Sequence, residues 1–246
     1  MTDAALRLAW ACISETGGRA ANQDALGHAE RDALTCFVLA DGAGGHAAGE
    51  VAARLAVNAV SDAFMRGASL AECAQAASRA VAQGRAGTDM STTLAACVVD
   101  RAARQAHWAH LGDSRIYLLR QQRVAAVTRD HSLTQQLIDA GLLPAHQLRV
   151  HAQRNILLAA IGAEGDTPVA VSEPLALLPG DALLLCSDGL WEWVTEDQMG
   201  EALAASAGCA QWLEALCACA EAAHARSGKT RDNYSAYAIE VLEAQA

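Results

Sequence analysis

The chain runs Thr35-Cys36-Phe37-Val38-Leu39-Ala40 and then Asp41-Gly42, a mostly apolar stretch that stops at an acidic residue and a glycine. A short apolar run that is bounded by a turn signal is typical of a buried β-strand. From about Ala47 the spacing changes, because apolar residues such as Val51 and Leu55 recur with the period of a helix. The sequence therefore predicts a buried strand, an acidic turn and a helix, in that order.

The same patterns extend in both directions along the chain. Further strands are predicted at about residues 6–13, 92–99, 105–111, 115–119, 182–186 and 234–242. Helices are predicted at about 47–64, 70–83, 196–205 and 210–225, with Ser69 as a helix N-cap. The strands between 92 and 119 are expected to be consecutive and antiparallel, with Gly112-Asp113 as the last turn. Because strands and helices alternate unevenly, we predict an α+β fold with a sandwich core rather than a doubly wound sheet.

Residues 132–160 do not follow either pattern. A short amphipathic helix through Leu137 and Ile138 is followed by a passage rich in Pro, His, Gln and Arg. Such a polar, weakly patterned segment is expected at the surface, as a mobile cover over a cleft. We call residues 132–160 the flap.

Composition narrows the class of protein. The 246 residues are 52% hydrophobic, and 28 acidic against 18 basic side chains give a net charge of -10, which argues against a nucleic-acid surface. Neither a signal peptide nor an apolar window of transmembrane length is expected from the pattern. The eight cysteines form no CxxC pair, and several lie in apolar runs. These features predict one reduced, cytoplasmic domain over residues 1–246, with no membrane partner.

Five aspartates stand at the ends or turns of the predicted strands: Asp24, Asp41, Asp113, Asp188 and Asp232. Any one of them alone is explained as a turn residue. Together, at the rim of one strand scaffold, they would repel each other unless a cation neutralised them. Ligands that are all oxygen favour hard cations such as magnesium or manganese.

Eight short motifs extend this pattern over nearly the whole chain. They are Arg19–Asp24, Ala40–His46, Gly49–Ala52, Met90–Thr93, His110–Arg115, Thr128–Ser132, Cys186–Leu190 and Arg231–Asn233. In this order they resemble the motifs of bacterial metal-dependent (type 2C, PPM) serine/threonine protein phosphatases. The resemblance implies a four-layer α-β-β-α sandwich with two central antiparallel sheets flanked by helices. It also implies hydrolysis of phosphoserine and phosphothreonine in proteins, with two Mn²⁺ or Mg²⁺ ions as cofactors.

The resemblance assigns roles to the acidic residues. Asp41 looks like the carboxylate that bridges the two metals, with the carbonyl of Gly42 as a further ligand. Asp188 and Asp232 match the ligands of the first metal. Asp24 matches an acidic residue that reaches the second metal through water.

The remaining roles concern a third cation and the phosphate. Asp113, together with Asp188, matches a third and weaker cation site. Arg19 matches the guanidinium that binds phosphate, since a planar fork suits two phosphate oxygens. A water made acidic by the two metals is expected to attack phosphorus in line.

Three positions depart from the family pattern. Gln23 stands where a glutamate is usual, which removes one carboxylate near the second metal. Ala43 stands where other members carry Met or a general-acid His, so the proton donor to the leaving group is unassigned; His46 is one candidate, and a structural histidine is the alternative. Ala159 replaces an arginine near the end of the flap.

Several further side chains have a structural and a functional interpretation. His131 and His151 flank the flap and are expected to be structural histidines. Trp191 and Trp193 are expected to pack the loop after Asp188, with a protein-docking patch as the alternative. For the whole chain, a phosphoprotein-binding pseudophosphatase and a two-metal nuclease are the alternatives to a phosphatase. Expected partners are phosphorylated proteins and a cognate serine/threonine kinase.

Overall fold

The computed structural model describes residues 5–43, 47–85, 88–163 and 168–244. The strands are β1 (Arg7–Glu15), β2 (Asp24–Arg31), β3 (Leu34–Ala43), β4 (Ser91–Thr92), β5 (Leu94–Asp100), β6 (Gln105–Leu111), β7 (Arg115–Arg120), β8 (Arg123–Val127), β9 (Ala170–Val171), β10 (Leu175–Ala176), β11 (Ala182–Cys186) and β12 (Tyr234–Leu242). The helices are α1 (Ala47–Met65), α2 (Leu70–Gly84), α3 (Leu133–Asp139), α4 (Asp188–Trp191), α5 (Glu196–Ala205) and α6 (Cys209–His224), with a 3-10 turn at Ala145–Gln147.

The strands form two antiparallel sheets. One has five strands in the order β1-β12-β11-β7-β8, and the other follows the order β10-β6-β5-β3-β2, with β4 and β9 paired to β3 and β6. The first and last of these strands lie side by side in the five-stranded sheet, since β1 pairs with β12 over their full length from Arg7↔Leu242 to Glu15↔Tyr234.

Three apolar clusters define the layers. The first lies between the sheets and includes Phe37 and Ile239. The second lies between the larger sheet and helices α1 and α2, with Val38 and Val60 among its members. The third packs α5 and α6 on the smaller sheet, around Trp212. Helices, sheet, sheet and helices therefore form four layers, which confirms the predicted α+β sandwich.

The predicted helices are confirmed, and their ends follow ordinary capping chemistry. Ser69 caps α2 with a complete capping box, because its hydroxyl accepts from the Glu72 N–H and the Glu72 carboxylate accepts from the Ser69 N–H. Thr195 and Gln198 form the same arrangement at the start of α5. All eight cysteines are free thiols. In the described part of the chain, no helix combines the length and the apolar character that a membrane span requires.

One sequence expectation about the strands was wrong, and strand β2 was missed. Strand β2, at the edge of the larger sheet, was not predicted, because half of its eight residues are polar. It packs against α1 through Gly27, where an added β-carbon would lie 2.5 Å from the Val57 side chain. The strands β6 and β7 do not pair with each other, since β6 belongs to the larger sheet and β7 to the smaller one. Gly112 and Asp113 therefore carry the chain from one sheet to the other rather than closing a hairpin.

Candidate metal centre and active site

The predicted site residues meet in one cavity of about 230 Å³. It lies where β3, the β6–β7 crossing, the start of α4 and the start of β12 come together. Its wall is formed by Arg19, Gln23, Asp41, Gly42, Ala43, Thr93, Asp113, Asn155, Leu157, Asp188, Asp232 and Asn233. Six of the seven residues predicted from the sequence are among them, and the seventh, Asp24, lies behind this wall.

The backbone of Asp41 is fixed by two threonines. Its N–H donates to Thr93 Oγ1 at 2.9 Å, and its carbonyl accepts from Thr92 Oγ1 at 2.9 Å and from the Thr93 N–H at 2.8 Å. The Thr93 hydroxyl also forms a hydrogen bond of 2.7 Å with Ser114 Oγ, across to the other sheet. These contacts explain the threonines of the Met90–Thr93 motif, which position the backbone of Asp41.

Gly42 and Gly49 allow helix α1 to approach strand β3 closely. A β-carbon on Gly42 would lie 2.2 Å from the Gly49 carbonyl oxygen, and one on Gly49 would lie 2.8 Å from the Gly42 carbonyl oxygen. Neither distance is possible for a real side chain, so both positions require glycine. The close approach places the Gly42 backbone in the cavity wall beside Asp41.

Asp232 and Arg19 are joined across the mouth of the cavity. Arg19 Nη2 lies 2.5 Å from Asp232 Oδ2, and both side chains are partly exposed. Asp232 Oδ1 accepts from the Asn233 N–H at 2.9 Å, and the Asn233 amide donates to the carbonyls of Thr16 and Ala21. Asn233 therefore ties the segment that carries Arg19 to the segment that carries Asp232. This ion pair was not predicted from the sequence.

Asp24 is buried under the cavity. It lies opposite Asp41 in the β2–β3 register, and its Oδ2 accepts from Ser187 Oγ at 2.8 Å. Its Oδ1 is buried with no hydrogen-bond partner among the described residues. Burial raises the pKa of the Asp24 carboxyl to about 6, although the Ser187 hydrogen bond acts in the opposite sense.

The carboxyls around the cavity also raise one another's pKa. For Asp41 and Asp188 the pKa lies well above the usual value, first because of burial and then because of the neighbouring aspartates. Burial raises the pKa of Asp113 to about 7, with the charge of Asp130 as the next cause. The acidic neighbours that oppose ionisation of Asp41 and Asp188 therefore form a site that favours protons or cations.

Divalent cations fit this residue set. The cavity offers oxygen donors, an uncompensated negative charge and a buried carboxylate oxygen without a partner, which suits a hard cation. Among the described residues, no three Asp, Glu, His or Cys side chains are already arranged as a complete ligand set. Asp232 instead forms a hydrogen bond with Arg19, and Asp24 forms one with Ser187.

The raised pKa values predict an unusual pH dependence for the chelator-treated protein. Asp113 titrates near pH 7 when folded and near 3.9 when unfolded, so between these values the folded state binds more protons. Stability from this group is present at low pH and is lost as pH rises through about 7. His107 and His110 have lowered pKa values and act in the opposite sense below about pH 6.5.

Because the Asp113 effect accrues between about pH 4 and pH 7 and the histidines oppose it below about pH 6.5, we expect the melting temperature in EDTA to fall from pH 6.5 to about 7 and this decline to slow above pH 7, measured by differential scanning calorimetry. The slope should flatten in Asp113→Asn, which cannot titrate, and should be lost with saturating manganese because the cation replaces the proton. A melting temperature that is constant or rises across this range in EDTA would contradict the electrostatic description of the site.

The structure also decides among several secondary expectations. Trp191 is 2% exposed, which confirms that it packs the loop and makes a docking role for its ring wrong. Asn155 and Leu157 of the flap line the cavity, although sequence reasoning singled out neither. Ala43 lines the cavity and supplies no proton donor. His46, the candidate general acid, lies outside the described residues.

Known proteins share both the sequence and the fold. The family model Protein phosphatase 2C matches residues 15–230. The serine/threonine phosphatase stp of Listeria welshimeri is 35% identical over 187 residues, which cover 70% of this chain and 73% of that protein. The serine/threonine protein phosphatase PstP of Mycobacterium tuberculosis is 34% identical over 220 residues, which cover 82% of this chain and 40% of that longer protein.

A solved structure of the catalytic domain of PstP, in complex with two manganese ions, has a TM-score of 0.81 to this chain at 29% identity. The similarity covers 97% of this chain and 100% of the solved one. The chain belongs to the protein phosphatase 2C family. The resemblance to bacterial metal-dependent phosphatases that the motifs indicated is thereby confirmed.

Proposed function

We propose that this chain is a protein serine/threonine phosphatase, which hydrolyses phosphoserine and phosphothreonine esters in the cavity described above. One observation carries the proposal: a cavity of about 230 Å³ is lined both by the guanidinium of Arg19 and by the carboxylates of Asp41, Asp188 and Asp232. An acidic wall holds cations, and a cationic edge holds the phosphate that the cations also contact. Neither the acidic wall nor the arginine alone would favour a phosphate ester as substrate.

The carboxylates would hold two Mn²⁺ or Mg²⁺ ions, with Asp41 between them and the Gly42 carbonyl as a further ligand. Asp188 and Asp232 would complete the first site, and Asp24, which lies behind the wall, would act on the second through water. When bound, such ions supply an acidified water as the nucleophile and neutralise phosphate oxygens. Asp113 would contribute, with Asp188, to a third and weaker site.

The protein's own groups orient the substrate. Arg19 is about half exposed at the cavity mouth. Its guanidinium can therefore leave the Asp232 carboxylate and bind phosphate oxygens without a rearrangement of the buried part of the site. Its charge then stabilises the negative charge that spreads over the equatorial oxygens in the transition state. Asp232 in turn becomes free to act as a cation ligand.

The natural substrates would be phosphorylated proteins, with a cognate serine/threonine kinase as the opposing enzyme. Asn155 and Leu157 of the flap at residues 132–160 line the cavity, which supports a role for the flap in contact with a protein substrate. The proposal includes a single domain over residues 1–246 and a cytoplasmic location.

Metal dependence tests the proposal directly. Purified protein should hydrolyse para-nitrophenyl phosphate and a phosphothreonine peptide with manganese or magnesium, and excess EDTA should remove both activities. Re-addition of manganese should restore them, which controls for irreversible loss of folding. Undiminished turnover in excess chelator would refute the metal site, and binding of a phosphopeptide without turnover in manganese would instead identify a pseudophosphatase.

A further inference from the structure

Trp191 lies at a junction between the metal centre and the flap. It ends helix α4, three residues after Asp188, and its ring is buried with two guanidinium groups close to it. The Cζ atom of Arg115 lies 3.5 Å from the ring centroid, and that of Arg149 lies 5.5 Å away. Arg115 comes from strand β7, and Arg149 comes from the flap.

The indole of Trp191 makes a direct contact with the backbone of a predicted cation ligand. Its Nε1–H donates to the carbonyl oxygen of Asp113 at 2.9 Å. Asp113 belongs to the crossing between the two sheets, and the adjacent Gly112 has a φ of 100°, so ordinary sheet pairing does not fix this backbone. The hydrogen bond from Trp191 therefore helps to hold the Asp113 backbone in position, together with the hydrogen bond from the His131 N–H to the Gly112 carbonyl.

Arg115 is held rigidly at this junction. Arg115 forms two hydrogen bonds of 2.7 and 2.8 Å with the Asp130 carboxylate, and both side chains are almost fully buried. A planar guanidinium that is held by a bidentate pair offers a fixed surface for an aromatic ring. Trp191 thus has one preferred orientation, in which its N–H meets Asp113.

Arg149 is the residue through which the flap contacts this junction. Arg149 Nη1 donates to the backbone carbonyl of Trp191 at 2.6 Å, and Nη2 donates to Glu196 Oε1 at 2.7 Å. The Arg149 side chain is largely buried by these contacts. The flap is therefore bonded to the same residue that holds Asp113.

We propose that Trp191 and Arg149 are positioning residues that hold Asp113 for its cation and couple that cation to the flap. The inference rests on the proposed phosphatase function and deepens it. Loss of either residue should weaken the third cation and turnover of phosphoproteins, but should spare the two-metal centre that acts on small esters. Both residues act through Asp113, because neither lines the cavity.

The variants are Trp191→Phe, which keeps an aromatic ring but loses the N–H, and Arg149→Ala, which releases the flap. Trp193→Phe is the matched control, because Trp193 contacts His224 edge-on and lies outside the junction. Asp113→Ala is the reference for loss of the third cation. Activity is measured against manganese concentration on a phosphothreonine peptide and on para-nitrophenyl phosphate.

We expect Trp191→Phe and Arg149→Ala to require about three- to tenfold more manganese for half-maximal turnover of the peptide, the effect of one net hydrogen bond. Half-maximal hydrolysis of para-nitrophenyl phosphate and the behaviour of Trp193→Phe should stay unchanged. Adding Trp191→Phe to Asp113→Ala should have no further effect on the peptide, because both act on one site.

A second readout does not depend on turnover. In amide NMR spectra of the native protein, the Trp191 indole N–H, identified by its absence in Trp191→Phe, should shift as magnesium is added beyond two equivalents. An indole signal that does not respond, or an equal loss of activity on both substrates, would overturn the proposal and leave Trp191 as a packing residue. Failure of the native protein to hydrolyse either substrate with manganese would refute the phosphatase itself, which is a separate result.

Discussion

Asp41→Asn is expected to abolish metal-dependent hydrolysis of para-nitrophenyl phosphate. Asp41 occupies the centre of the acidic wall, and the charges of Asp24, Asp113, Asp188 and Asp232 all act on its carboxyl. An amide has the shape of a carboxylate but no charge, so it cannot neutralise two cations at once. We expect kcat to fall by at least about 10²- to 10³-fold, the usual effect of losing one preorganised electrostatic contact in an active site.

This loss should occur without loss of the fold. The backbone of Asp41 is held by Thr92 and Thr93, and these contacts do not use its carboxylate. Since the amide also removes repulsion among carboxylates, the melting temperature of Asp41→Asn in EDTA should equal or exceed that of the native protein. Asp62→Asn, an exposed aspartate on α1, is the control and should behave as native in both assays.

Calorimetric titration with manganese completes this test. Asp41→Asn should bind manganese far more weakly than the native protein, whereas Asp62→Asn should bind it normally. Near-native turnover of Asp41→Asn with unchanged manganese affinity would show that Asp41 does not bridge the cations. A melting temperature well below native in EDTA would show instead that the carboxylate stabilises the fold.

The parts of the site that could be predicted from the sequence are those that local chemistry fixes. Asp41 ends an apolar run, and Asp188 follows another, so strand geometry alone brings each to the rim of a sheet. Gly42 is required because its backbone approaches that of Gly49 closely, and two short motifs that follow each other in the sequence contain these glycines. These residues were found because each is determined by its immediate neighbours.

The parts that were missed depend on contacts between distant segments. Four of the eight residues of the edge strand β2 are polar, and its own sequence does not show that it pairs with β3. The crossing at Gly112 looks like a hairpin turn until the other strands assign β6 and β7 to different sheets. Similarly, Arg149 meets Trp191 only because the flap folds back over α4, 42 residues away in the chain.

The ion pair between Arg19 and Asp232 is also a long-range contact, and it changes what should be expected of Arg19. The sequence resemblance implies a phosphate-binding role that is independent of the metals. In the structure, the guanidinium instead contacts a predicted metal ligand 213 residues away. Arg19 therefore competes with a cation for Asp232 while the substrate is absent, and its removal should not weaken metal binding.

Arg19→Ala should accordingly separate substrate binding from metal binding. We expect KM for a phosphothreonine peptide to rise by about 10- to 100-fold, the effect of losing a bidentate charge-assisted hydrogen bond, and inhibition by inorganic phosphate to weaken in parallel. Manganese affinity by calorimetry should stay native or increase, since Asp232 loses its competing partner. Arg19→Lys, which keeps the charge without the fork, should fall between native and Arg19→Ala. Arg54→Ala, which breaks an exposed pair with Glu50 on α1, is the control for loss of a surface arginine. If Arg19→Ala lost manganese binding while its KM stayed native, Arg19 would be a residue that supports the metal site rather than one that binds phosphate.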